Sequence, residues 1–114
     1  MLTSGDVVEV DFGEPVGREA GFARPAVVVT AQAVLDESPN IVQVIPVTST
    51  VRQFRTEVPI GESAGNGLDA PSAAQCQHIR AVSLHRITGT RGNVGPVALA
   101  QIRVLIGRVV DLIP

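Results

Sequence analysis

The sequence has no lysine, no tryptophan and no tyrosine, and it contains a single cysteine, Cys76. One cysteine excludes an internal disulfide and is typical of proteins in a reducing compartment. No apolar run approaches the roughly 18–20 residues that a membrane-spanning helix requires. Residues 1–6 carry neither a basic residue nor an apolar stretch, so we expect no secretory signal and a cytoplasmic location.

Apolar residues make up 45% of the 114 residues and charged residues 18%, which indicates a folded chain rather than a disordered one. No internal repeat and no low-complexity tract divides the sequence. A chain of this length is therefore expected to form one domain, residues 1–114, with one modest core.

The net charge is −2, but the charges are unevenly distributed. Residues 1–50 hold two arginines against seven acidic residues, whereas residues 51–114 hold seven arginines against four. The guanidinium group is a planar fork of donors that suits phosphate oxygens and stacks on bases. A GC-rich genome also favours arginine over lysine, so the asymmetry permits an RNA-binding face without requiring one.

Short apolar runs separated by turn residues predict a mainly β fold. Val8, Val10 and Phe12 alternate with Glu9 and Asp11, which is the pattern of a half-buried strand. Further strands are predicted over 26–30, 41–48, 56–60, 72–76 and 78–83. Loops are predicted over 13–23, 49–55 and 61–69, a short helical connection over 31–38, and a turn-rich stretch over 89–95. Such closely spaced strands predict a small barrel or sandwich.

Pro46 lies near the end of the third predicted strand, where a missing amide hydrogen indicates a sheet edge or a bulge. The last segment changes period and predicts a helix with one apolar face, because its large apolar residues recur at steps of three and four. These residues are Leu99, Ile102, Ile106, Val109 and Ile113. Pro96 suits the first turn of that helix. Gly107 indicates either a close packing contact or a weaker helix.

Three short stretches place polar side chains where a predicted strand meets a loop, a common position for functional residues. The first strand opens with Gly5-Asp6, and the loop after it carries Glu19 and ends at Arg24-Pro25. The third strand closes on Thr48-Ser49. A later segment reads Gln77-His78-Ile79-Arg80.

In the order and spacing of these motifs, and over nearly its whole length, the sequence resembles the MazF/PemK family of toxin endoribonucleases. The resemblance implies a small SH3-like β-barrel with a C-terminal α-helix, the MazF/CcdB-like toxin fold. It also implies the toxin of a type II toxin–antitoxin system, an mRNA interferase that cleaves single-stranded RNA at short sequences without a metal or other cofactor. The expected partners are that RNA, a second copy of the chain in a homodimer, and a cognate antitoxin with a disordered acidic tail.

In the reaction that the resemblance implies, a ribose 2′-hydroxyl attacks the adjacent phosphate and leaves a 2′,3′-cyclic phosphate and a 5′-hydroxyl. Negative charge builds on the phosphoryl oxygens, so the site needs preorganised donors. Arg24 is expected to stabilise that charge, and the Thr48 hydroxyl is expected to donate beside it. Arginine stays protonated in proteins, so Glu19 is the candidate loop acid, base or RNA contact, and the identity of the general base stays open.

The sequence departs from the family at two positions that affect RNA binding. Arg18 stands where the family usually has serine, and Glu9 stands where many relatives have an aromatic residue. Base stacking is therefore expected from Phe22 or Phe54. The full set of expected RNA contacts is Arg18, Phe22, Ser49, Arg52, Phe54, Arg55, Gln77 and His78.

Other interpretations of the same residues remain open at this point. Arg24 could pair with Asp11 or Glu19 in a purely structural role, and Thr48 could be an ordinary strand residue. A chain with this fold could also be a CcdB-like inhibitor of DNA gyrase, or a barrel that binds RNA without cutting it. The spacing of Cys76, His78 and His85 matches no common zinc pattern, so no metal site is expected.

Overall fold

The structure, a computed structural model, describes all residues from Met1 to Pro114. Its elements in chain order are β1 (Asp6–Asp11), β2 (Ala23–Val28), α1 (Gln32–Leu35), β3 (Ile41–Thr48), β4 (Glu57–Ile60), β5 (Ser72–Gln75), β6 (Arg80–Ser83), β7 (Ile87–Asn93) and α2 (Gly95–Val109). Short 3₁₀ turns precede β6 and β7. Neither α-helix has the length and apolar character that crossing a membrane requires. The prediction of a mainly β chain with a C-terminal helix is confirmed.

All strand pairs are antiparallel, and the sheet runs in the order β4-β5-β3-β2-β1-β7, with β6 paired to β3 outside that path. β3 is the centre of the arrangement, because one of its edges pairs with β2 while the other pairs first with β6 and then with β5. No strand pair joins β4 to β7. The hydrogen-bonded sheet is therefore open rather than a closed barrel.

Pro46 lies where β3 changes partner along one edge. Residues up to Val44 pair with β6, and residues from Val47 onward pair with β5. Ile45 and Pro46 have no partner on that edge. Proline has no amide hydrogen, so placing it in this gap costs the sheet no hydrogen bond there. The expectation of a sheet edge or a bulge is wrong, because β3 is internal and its register with β2 is regular through Pro46; what lies at Pro46 is the change of partner from β6 to β5.

The sheet buries side chains on both faces. On one face a cluster that includes Val7, Val27 and Ile45 packs against Ile102 of α2. The other face forms a second cluster around Phe12, with Leu35 of α1 at its edge. The alternation in β1 predicted the second cluster correctly but missed Val7, which is fully buried because α2 covers the face that the pattern assigned to solvent.

The stretch 89–95, predicted as turn-rich, belongs mostly to strand β7. Its pairing with β1 contains two register shifts, which are typical of an irregular edge strand. A Cβ on Gly92 would collide with the carbonyl oxygen of Gly65. Gly92 thus allows the loop over 61–69 to pack closely against an edge strand, whereas Gly95, with a φ of 85°, lies at the turn into α2.

Helix α2 begins as predicted, with Pro96 in its first turn, but it ends at Val109, before the last residue of the apolar stripe. The chain reverses at Asp111, whose φ is 62°, and the amides of Leu112 and Ile113 donate to the carbonyl oxygen of Gly107 at 2.6 and 3.3 Å. A Cβ on Gly107 would lie 3.0 Å from the Ile113 side chain. Gly107 therefore marks a close packing contact.

Candidate active site

Arg24 and Thr48 lie side by side at the ends of β2 and β3. The register pairs Ala26 with Pro46, and the same register continued by two residues places Arg24 opposite Thr48. Residues two apart on a strand share a face, so the two side chains project to the same side. Both are half-buried, and both line the same two cavities.

The guanidinium group of Arg24 is held by a neutral partner rather than by a carboxylate. Its Nη1 donates to Oε1 of the buried Gln75 at 3.4 Å. Asp11 and Glu19, the two acids considered as partners, accept instead from the backbone amides of Gly13 and Val16, each at 2.9 Å. The structural pairing considered for Arg24 is therefore absent, and its positive charge remains free for an anion.

The hydroxyl of Thr48 is oriented by its own turn. Its Oγ1 accepts from the backbone amide of Thr50 at 3.0 Å. A hydroxyl that accepts in this way still has its own hydrogen to donate. Thr48 can therefore donate to an oxygen of a phosphate bound beside Arg24.

One of the two cavities, which we call the basic cavity, has a volume of about 430 Å³ and carries most of the predicted site. Those residues are Arg18, Glu19, Arg24, Thr48, Arg52, Phe54, Gln77 and His78. They come from the start of β2 and the loop before it, from the end of β3 and the loop after it, and from the turn after β5. The fold therefore brings together side chains that are up to 60 positions apart in the sequence, between Arg18 and His78.

The second cavity, which we call the Phe22 cavity, lies on the other side of Arg24 and Thr48 and has a volume of about 560 Å³. Phe22 and Ser49 line it, together with Asp69 and Arg91. Arg91 forms an ion pair through its Nε with Glu9. Glu9, at the position where many relatives carry an aromatic residue, is thus committed to this pair.

Arg55 is the one predicted contact that the structure does not bring to either cavity. It lies against helix α2, beside Gln101, Val104 and Arg108. The backbone of Gln53 has a φ of 58°, and after this turn Phe54 lines the basic cavity while Arg55 lies on the helix side. The spacing of residues in the sequence does not predict that Phe54 and Arg55 line different cavities.

The wall behind the basic cavity includes two buried polar residues, Glu57 and Gln75, that the sequence analysis missed. The carboxyl of Glu57, only 7% exposed, accepts from Nε2 of Gln77 at 3.2 Å. Burial raises the pKa of the adjacent Cys76 thiol to about 11, with a smaller contribution in the same direction from the Glu57 charge. No group of three or more His, Cys, Asp or Glu side chains is placed to hold a metal ion.

The chain matches the family described as "PemK-like, MazF-like toxin of type II toxin-antitoxin system" over residues 3–110. It is 30% identical over 106 residues to the endoribonuclease MazF9 of Mycobacterium tuberculosis, with 90% of each chain covered. The structure of the M. tuberculosis toxin MazF-mt6 superimposes with a TM-score of 0.74 at 25% identity, covering 93% of this chain and 96% of that one. MazF from Deinococcus radiodurans has the same fold, with a TM-score of 0.79 at 24% identity and coverage of 95% and 94%. The chain therefore belongs to the PemK/MazF-like toxin family of type II toxin–antitoxin systems.

Proposed function

We propose that this chain is a toxin that acts as a sequence-specific, metal-independent endoribonuclease on single-stranded RNA. The observation that carries the proposal is the position of Arg24 and Thr48 at the junction of the basic cavity and the Phe22 cavity. An RNA strand that passes through both cavities presents one phosphate to these two side chains. The nucleotides on either side of that phosphate then occupy one cavity each.

The geometry supports cleavage by the neighbouring ribose. The 2′-hydroxyl oxygen forms a bond to phosphorus while the bond to the 5′ oxygen breaks, which yields a 2′,3′-cyclic phosphate and a 5′-hydroxyl. Arg24 neutralises the charge that develops on the non-bridging oxygens, and Thr48 donates a hydrogen bond to one of them. Gln75 fixes the guanidinium without cancelling its charge.

Two proton transfers accompany this displacement. One carboxylate oxygen of Glu19 is held by the amide of Val16, and the other is free to accept the proton of the 2′-hydroxyl. Arg24 remains protonated at neutral pH, so it does not act as the base. A 5′ alkoxide is far more basic than a neutral guanidine, so we propose that the leaving 5′ oxygen takes its proton from Arg24. Arg24 then regains a proton from water, and the proton on Glu19 passes to water, so both side chains return to their starting states.

The remaining residues of the two cavities bind the strand. Arg18, Arg52 and His78 contact phosphates and sugars in the basic cavity, and Gln77 contacts a base edge there. Phe54 and Phe22 stand on opposite sides of Arg24 as stacking platforms, each worth about 1–3 kcal/mol per base. Ser49 contributes its hydroxyl on the Phe22 side. Arg55 remains a predicted contact for RNA that continues past Phe54 toward helix α2.

The assembly that we propose is a homodimer regulated by an antitoxin. The chain exposes large apolar side chains on and after α2, with exposed fractions of 73% for Val97, 60% for Val110 and 79% for Leu112, and a dimer would cover such residues. An antitoxin with an acidic tail suits the unpaired arginines of the basic cavity. That tail would compete with RNA for the same charges.

We also propose that residues 1–114 form one domain with an SH3-like fold of the MazF/CcdB type, in which the barrel is left open between β4 and β7. The central position of β3 and the packing of α2 on the sheet support this assignment. The protein acts in the cytoplasm under this proposal, because messenger RNA is found there and because the lone Cys76 has no disulfide partner.

The proposal is tested by incubating purified protein with total RNA in the presence of EDTA and mapping the new ends. Cleavage at a short recurrent sequence, with 5′-hydroxyl ends, is expected from the wild type and not from an Arg24→Ala variant. Intact RNA together with an arrested DNA gyrase would support the gyrase inhibitor instead. RNA that is bound but left uncut would support a non-catalytic binding protein.

A further inference from the structure

The Phe22 cavity contains an aromatic platform that the backbone holds in place. Phe22 is 63% exposed and has a φ of 60°, a conformation that non-glycine residues rarely adopt. Two backbone hydrogen bonds tie it to the end of β1, from its amide to Gly13 at 2.6 Å and to its carbonyl from Phe12 at 2.9 Å. The preceding residue, Gly21, has no room for a Cβ beside Pro15. An exposed ring at a fixed, strained position is suited to stacking.

Three charged side chains line this cavity, and two of them can still bind a ligand. Arg91 is committed to the wall, because it pairs with Glu9 and donates to the carbonyl of Gly67 at 3.2 Å. Arg24 is the free cation, at the junction with the basic cavity. Asp69 is paired with Arg91 through one carboxylate oxygen, 3.6 Å from Arg91 Nη1, and its side chain is 90% exposed, so the carboxylate can still accept hydrogen bonds from a ligand.

We infer that the Phe22 cavity is a guanine-reading subsite, in which the base stacks on Phe22 and its edge donates two hydrogen bonds to the Asp69 carboxylate. The inference rests on the proposed function, because it orients a nucleotide whose phosphate lies at Arg24. The cavity volume of about 560 Å³ lies within the roughly 300–1,000 Å³ of ordinary small-ligand sites.

The choice of guanine follows from the chemistry of a carboxylate. An ionised carboxylate accepts hydrogen bonds and donates none, so two adjacent donors are its best partner. On the Watson–Crick edge, guanine alone offers two adjacent donors, N1–H and the N2 amino group. Adenine and cytosine place a donor beside an acceptor, and uracil places one donor between two acceptors. Arg91 lies within ion-pair distance of the Asp69 carboxylate, with its Nη1 3.6 Å from one carboxylate oxygen.

The experiment measures cleavage of an RNA library in which all four bases vary at each position around the scissile phosphate. Wild-type protein is expected to require guanine at one position next to the cleaved bond. Replacing that guanine by inosine, which lacks the N2 amino group, is expected to lower kcat/KM by about 10- to 100-fold, the loss of one hydrogen bond to a charged group. Asp69→Asn should lose the guanine preference, whereas Glu62→Gln, the same change at another exposed position of this loop, should keep it.

The outcomes separate this inference from the proposed function. If no RNA in the library is cleaved, the endoribonuclease proposal fails and the subsite fails with it. If RNA is cleaved with 5′-hydroxyl ends but without a guanine requirement, only the subsite is overturned. The same holds if Asp69→Asn keeps the wild-type ratio of guanine to inosine substrates.

Discussion

The basic cavity and the Phe22 cavity meet at Arg24 and Thr48, yet they balance their charges in different ways. In the basic cavity no carboxylate forms an ion pair with Arg18, Arg24 or Arg52, whereas in the Phe22 cavity Arg91 is paired with Glu9 and Asp69. An arginine whose charge is balanced by two carboxylates, as that of Arg91 is, is not available to a phosphate. An arginine held by a neutral amide or by nothing is available to a phosphate. From this comparison we propose that most phosphate contacts lie in the basic cavity and that the carboxylate which reads a base, Asp69, lies in the Phe22 cavity.

The largest expected effect is at the junction itself. Arg24→Ala removes the only fixed charge shared by both cavities, and we expect the single-turnover rate of cleavage of an end-labelled RNA to fall by about 10³-fold. The melting temperature should change little, because Arg24 is half-buried and makes one long hydrogen bond to a neutral side chain. Arg108→Ala, an exposed change on α2, is the control for lost charge. Near-normal cleavage by the Arg24 variant would show that the junction is not the reaction centre.

Thr48→Val should have the next largest effect. The substitution keeps the shape of the side chain but removes the hydroxyl, so we expect a decrease in kcat of about 10- to 100-fold with little change in KM. Thr48→Ser retains the hydroxyl and should recover most of the activity. A valine variant as active as the serine variant would mean that Thr48 contributes only packing.

Arg52 and Arg55, three positions apart in the sequence, test the difference between the basic cavity and the helix side. Arg52→Gln should lower the slope of log Kd against log salt by about 0.7 for a single-stranded RNA carrying a 2′-deoxy group at the scissile position, because one phosphate contact is lost. Arg55→Gln removes the same charge from a residue that faces helix α2 and should leave the slope for a short RNA unchanged. Equal changes in the two variants would contradict the assignment of phosphate binding to the basic cavity.

A further prediction concerns protein stability, not activity, and tests the wall behind the basic cavity. Burial raises the pKa of Cys76 from 9.0 to about 11, so above pH 9 the unfolded chain loses a proton that the folded chain keeps. The free energy of unfolding should therefore fall between pH 9 and pH 11, by about 2–3 kcal/mol in all. The chain has no lysine and no tyrosine, so no other side chain is expected to titrate there. Urea denaturation of wild type and Cys76→Ala measures the difference, and equal pH dependence in both would contradict it.

The sequence predicted correctly those parts of the fold that depend on residues close together in the chain. The bounds of β3 are those predicted from its apolar run, and Pro96 marks the start of α2. The polar residues at the ends of β2 and β3 were predicted from the family motifs to act together, and the structure places Arg24 beside Thr48. Motifs found at strand ends are informative because strand pairing brings those ends together.

The features that the sequence did not reveal depend on distant contacts. β7 contains glycines that are typical of a turn, and for Gly92 the close packing of the loop over 61–69 gives the reason. Gln75 and Glu57 are polar residues on strands, and their burial is decided by β3, β4 and β5 together. Phe54 and Arg55 line different cavities although they are adjacent in the sequence, and no residue pattern predicts this separation.

The central claim is that Arg24 and Thr48 act on one phosphate, and a double-mutant cycle on single-turnover cleavage tests it most directly. Groups that stabilise the same transition-state charge are strongly non-additive. We therefore predict that Arg24→Ala combined with Thr48→Val cleaves no more than about threefold more slowly than Arg24→Ala alone. Losses that multiply in full would show that the two side chains act independently, and they would contradict the account.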